Sequence, residues 1–222
     1  MTETGVRSGR REHFARYLST LKYALHVIVR PFDGFWDLSR ENRGSVAAAT
    51  TIVVLALITH ILKLQYTSFQ FINVHWEYVN VAREMFSILL PLLIWCLSNW
   101  CWTTLFDGKG SFRDVYMGMG YAVTPFVLIQ LPMILLSNGI TAKEGSFYYV
   151  LDTVSLVWCA ALFVVGMMQI HDFSLGKTLL FTVMTLFGML IIIFLLLLFF
   201  SLLSDVVAFV VALYRETMFR LY

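Results

Sequence analysis

Charge is scarce in this 222-residue chain: 14% of its residues are charged, where soluble domains carry about 25%. With 59% hydrophobic residues and a mean hydropathy of +0.76, the chain is built for a membrane. Cysteine is also rare. Cys96, Cys101 and Cys159 all fall in apolar stretches, without the clustered ligands that zinc needs, and read as small buried hydrophobes. Within the apolar runs His60 is the only Asp, Glu, Lys, Arg or His, which argues against a proton-coupled pump. "DGKGSF" at Asp107 is a tight turn that lacks the phosphate-loop pattern. There is no H-E-x-x-H motif and no acidic metal cluster, so no cofactor or metal is expected. "QIHDFSLGK" places His171, Asp172 and Ser174 on one turn. Adjacent residues rarely converge as a triad, and no enzyme is expected. No early apolar run precedes a small-residue cleavage site in the first 43 residues, so the first span is expected to act as its own signal.

Long hydrophobic runs are plentiful. Five are long enough to cross a bilayer: Ser45–Leu62, Met85–Phe106, Val115–Ile140, Thr153–Ile170 and Thr178–Leu203. Eight of the sixteen Lys and Arg residues precede Gly44. Placing that tail inside puts eleven basic residues in inner segments and five in outer ones, so the expected topology is N-terminus in, C-terminus out. Trp76, Tyr78, Trp100, Trp102, Phe147, Tyr148 and Tyr149 form an aromatic belt at the span ends.

Ahead of the first span, Leu18, Leu21, Leu25 and Ile28 recur at helical spacing, with Lys22 and His26 on another face. This predicts an amphipathic helix on the inner membrane surface, ended at Arg30-Pro31. Phe32, Phe35 and Trp36 can anchor it at headgroup level. At the other end, Thr178–Tyr214 is 37 residues long, about 55 Å as one helix. Either it protrudes, or Ser204-Asp205 caps a second helix on the outer interface.

The third span, within the charge-free run Val115–Ala142, carries Pro125 and Pro132. Pro125 removes the hydrogen bond to the Tyr121 carbonyl and kinks the helix. Thr124 and Gln130 can supply replacements, and Gly118, Gly120 and Ala122 allow close packing. One reading is a bent packing helix; the other is a broken helix lining a cavity.

"FDGKGSFRDVYMGMGYAVTPFVL", the kinked span and its Asn-Gly exit resemble the Ypt-interacting-protein (Yip) domain family of five-span membrane proteins. "RPFDGFWDLSRENRGS" and "GMMQIHDFSLGKT" look like its bacterial branch. Eukaryotic members are linked to Rab-type GTPases and vesicle traffic, a role the resemblance does not carry to a bacterial-looking chain. Some bacterial members resemble accessory genes near carbohydrate ABC importers.

The expected fold is therefore an all-α integral membrane protein. Five transmembrane helices follow an amphipathic inner-surface helix, and the C-terminal helix is long or bent. Residues 1–44 are the basic cytoplasmic tail, 45–203 the five-span domain and 204–222 a helical extension on the outer side. The first functional reading is a non-catalytic scaffold or accessory subunit of a membrane complex, such as a carbohydrate ABC-type importer. An independent transporter or channel is the second, with Asn99, Thr103, Thr124 and Gln130 lining its path. A lipid-handling or membrane-shaping protein is the third. Expected partners are membrane lipids and another integral membrane protein or transporter subunits, not nucleic acid; self-association stays open. The expected partner surface is the inner face: Pro31, Asp33, Trp36, Asp37, Asp107, Lys109, Arg113, His171, Asp172 and Lys177. The kink motif is Tyr121, Pro125, Gln130 and Pro132.

Overall fold

A computed structural model describes residues 3–41, 43–71, 79–141 and 144–221. Trp76, Tyr78 and Lys143 lie outside these described residues, as do the side chains of Arg7, Arg10 and Arg11. Every described element is a helix: α1 (Glu3–Val29), α2 (Pro31–Arg40), α3 (Val46–Tyr66), α4 (Val81–Leu105), α5 (Phe112–Ala122), α6 (Thr124–Ser137), α7 (Gly145–His171) and α8 (Leu175–Leu221). With α5 and α6 taken as one bent segment, five helices are long and apolar enough to cross a membrane. The chain is an all-α multi-pass membrane protein.

Local chemistry sets the boundaries. Ser45 caps α3 by accepting from the Ala48 amide at 3.0 Å, and Asn80 caps α4. Ser111 and Asp114 form a reciprocal capping box at the start of α5. Pro31 opens α2 at a position where its missing N–H costs nothing. The two helix ends that enter left-handed backbone do so at aspartates, Asp107 with φ 59° and Asp172 with φ 60°, residues that tolerate that region better than most.

The packed core lies at the end of the bundle that carries α1 and α2, the near end. There Phe35 and Leu38 of α2 are fully buried with Ala24, Val27, Ala49, Met117 and Tyr121. Gly166 of α7 makes room for Phe35: a Cβ there would lie 3.1 Å from the Phe35 ring. α1 buries Thr20, Ala24 and Val27, while Leu18 and Leu25 stay exposed. The stripe is thus split: Leu18 and Leu25 face away from the bundle, and Leu21 and Ile28 pack against its core.

Two expectations change. α8 runs unbroken through Ser204-Asp205, so these residues do not cap a second helix. Its 47 residues extend about 70 Å at 1.5 Å per residue. α7 begins at Gly145 rather than near Thr153, and this brings Asp152 inside a membrane helix. The extra turns are held by Tyr148, whose ring stacks on Phe71 with centroids 4.7 Å apart.

Candidate functional site

The motif "GYAVTP" is a fastening point. Gly120 meets α3 so closely that a Cβ would lie 2.8 Å from the Ala49 Cβ. One residue on, the buried Tyr121 hydroxyl donates to the Thr20 carbonyl at 2.9 Å and accepts from the Ser45 amide at 3.4 Å. One side chain of α5 thereby ties α1 to the start of α3. Val123 interrupts the span, and Pro125 sits in the first turn of α6. The carbonyl freed by the proline is met at once, because the Thr124 hydroxyl donates to Tyr121 O at 2.7 Å. Gln130 does not share in this repair, and Pro132, one turn short of the end of α6, is exposed.

At the near end, His171 is 2% exposed and turned into the bundle. Its Nδ1 accepts from the Gly110 amide at 3.3 Å. The ring proton therefore sits on Nε2, which donates to Asn99 Oδ1 at 3.1 Å. Asn99 Nδ2 donates to the Thr185 hydroxyl at 3.2 Å, and that hydroxyl donates to Phe181 O at 2.7 Å. Ser98 Oγ donates to Thr185 O at 2.8 Å. This knot joins α4, α7, α8 and the 106–111 turn. The glycines of "DGKG" let the backbone lie on the imidazole: a Cβ at Gly110 would be 2.8 Å from His171 Cε1 and 2.5 Å from Ile170 Cγ2.

Asp172 points the other way, outward. Lys109 Nζ donates to its carboxylate at 2.7 Å, and Arg40 lies 3.6 Å away. The hydrogen bond and charge of Lys109, aided by Arg40, hold this carboxyl below its ordinary range. Ser174 Oγ accepts from the Lys177 amide. The paper triad therefore does not converge: each of its members is committed to a different neighbour.

The far end holds a second polar group that the sequence did not reveal. Lys63 of α3 and Asp152 of α7 form an ion pair, and Gln130 of α6 donates to the same carboxylate. Gln130 Nε2 also donates to Ser155 Oγ at 2.9 Å. Gln130 is fully buried, and its Oε1 has no partner among the described residues. The signal was a single acidic residue placed one step before an expected span start. Its meaning depended on where the helix began.

A family model described as the Yip1 domain matches residues 25–199. This chain belongs to the Yip1 domain family. No curated protein and no solved structure matches it. The Yip1 match runs from the last turns of α1 into the middle of α8, and so contains both polar groups and the "GYAVTP" motif, while the Thr20 carbonyl that Tyr121 reaches lies just before it.

Within this Yip1 chain, the sequence-chosen inner-face residues fall into three settings. Asp33, Trp36, Asp107, Lys109, Arg113, Asp172 and Lys177 are exposed at the near end. Pro31 and Asp37 are half-buried; Asp37 accepts from Tyr23 at 3.0 Å and lies 3.4 Å from Arg43. Burial, with the Asp37 bond and charge behind it, pushes the Tyr23 phenol up. His171 is withdrawn from any surface, a correction to its expected role: its donor and its acceptor are both used inside the bundle. Lys177 folds its ammonium 4.0 Å over the Phe173 ring. The four residues expected to line a path divide between distant places. Asn99 and Thr103 belong to the near-end knot, Thr124 to the helix break and Gln130 to the far-end group.

Proposed function

We propose that this Yip1-domain protein is a non-catalytic membrane scaffold or accessory subunit that docks on another integral membrane protein. The carrying observation is α8. Every residue from Ile193 to Arg220 is exposed, although this stretch is almost wholly apolar as far as Tyr214. A bilayer core of roughly 30 Å covers less than half of the helix's length. Tilt within the usual range of about 0–40° does not absorb the remainder. An apolar helix outside lipid is stable only against another surface.

We assign the near end to the cytoplasm on the eleven-to-five distribution of basic residues, which puts the end of α8 outside. We place the chain in the bacterial branch on "RPFDGFWDLSRENRGS" and "GMMQIHDFSLGKT", and take a carbohydrate ABC-type importer as the first complex to test. On the near face the exposed Trp36, Asp33, Lys109 and Arg113 offer a second contact surface.

The test is affinity purification of the tagged chain from its native membrane in mild detergent, with cross-linking and mass spectrometry. The expected result is stoichiometric recovery of transport subunits cross-linked to residues 201–220, and loss of that recovery when residues 204–222 are deleted. Recovery of the full chain alone would overturn the proposal.

A further inference from the structure

Four spans leave a cavity of about 440 Å³ between them. Pro91 and Trp95 of α4, Val123 at the α5–α6 break, Ala160 and Phe163 of α7, and Met189 of α8 are among its walls. Trp95, Val123, Ala160 and Met189 stand ten to fourteen residues from the near ends of their helices, which is about 15–21 Å along the axis. The cavity therefore lies at mid-depth in a hydrocarbon core of roughly 30 Å. Its rim is open sideways, since Pro91 and Ala160 are exposed, while Trp95 in its floor is 7% exposed. Trp95 meets Phe163 edge-on at 4.7 Å across the gap between α4 and α7. Pro91 stands on one wall and the Pro125 break on another.

Size bears on what fills it. A crossing helix about 10 Å wide fills about 420 Å³ per turn, so a space of about 440 Å³ holds one turn and not a span. A cavity of about 150 Å³ holds a benzene molecule, and 440 Å³ suits a length of alkyl chain.

We propose that this cavity binds one acyl chain of a bilayer lipid, which enters sideways past Ala160 and lies across Trp95 and Phe163. The site goes beyond the scaffold reading and does not depend on it.

The test uses the full chain in phosphatidylcholine vesicles whose acyl chains carry bromine near mid-length, with unbrominated vesicles as reference. Bromine quenches an indole only near contact, so a variant retaining Trp95 as its sole tryptophan should emit clearly less in brominated than in unbrominated vesicles. Ala160→Phe in that background, which blocks the rim from an exposed position, should restore most of it. Equal emission from both vesicle types would overturn the site. So would quenching that persists undiminished in Ala160→Phe, because chains would then reach Trp95 by another route. The same component is read without the multiple substitutions as the difference in quenching between the native chain and Trp95→Phe. A difference of zero also overturns the proposal.

Discussion

At its near end the bundle closes His171 between Asn99 and the Gly110 amide; at its far end it leaves Gln130 with an unmatched oxygen beside Lys63 and Asp152. Both groups join helices far apart in sequence. The near-end knot is uncharged, saturated with hydrogen bonds and gripped by glycine-permitted backbone contact. The far-end group carries a full ion pair whose side chains are 17% and 26% exposed. A saturated neutral knot fixes geometry. A pair of charges with an unmatched neighbour leaves room for rearrangement, because the removal of both charges sacrifices little.

The sharpest way to break this comparison is at Gly110. Gly110→Val forces a side chain into Ile170 and the imidazole, and should destabilise the protein by about 3 kcal/mol, read as the melting midpoint in detergent. His171→Leu should cost a similar amount, since it strands the Asn99 oxygen and the Gly110 amide in a buried setting. A midpoint within error of the native one for both variants would refute the clasp.

Much of the clasp was hidden in the sequence. Asp107, Lys109, His171 and Asp172 were legible as turn residues on one face, because charges and glycines between apolar runs mark turns. That His171 faces inward and Asp172 outward depends on the left-handed backbone at Asp172 and on the approach of a turn 61 residues away. No local pattern encodes that approach.

At the far end, Asp152→Leu alone should cost about 1–3 kcal/mol, tempered by partial exposure, because it strands the Lys63 charge. Asp152→Leu with Lys63→Met should recover to within about 1 kcal/mol of the native protein. If the double variant is as unstable as the single one, the far end is as rigidly required as the near end and the contrast fails.

Smaller again is Tyr121→Phe, which keeps the ring and removes one hydroxyl that serves two partners. About 1 kcal/mol is expected, with faster amide exchange in α1 and at Ser45. Unchanged exchange there would remove Tyr121 as the tie between α1 and α3.

The smallest effect concerns Asp172, which is exposed. Its carboxyl is held low by Lys109 and then Arg40. Its contribution is therefore present above the ordinary carboxylate pKa of about 4 and is lost as pH falls through the lower folded value. Melting midpoints of the native chain and Asp172→Asn should run parallel from neutral pH to about pH 5 and converge only in stronger acid. Divergence near neutrality would show that another group controls the near-end turn.

The sequence by itself determined the five spans and the break at Pro125, and offered Thr124 beside Gln130 for its repair, of which Thr124 makes the bond. Run length, a missing N–H and a hydroxyl three residues from an orphaned carbonyl are all local quantities. It also determined that the apolar character of α8 outlasts a bilayer. Only the tertiary structure decided that Tyr121 ties α1 to α3 and that Lys63 finds Asp152 across 89 residues of chain. Those outcomes rest on which helix faces meet, and in a membrane nearly every face is apolar enough to be either buried or left in lipid. Hydrophobic pattern therefore stops discriminating, and a few hydrogen bonds and close glycine contacts choose the arrangement.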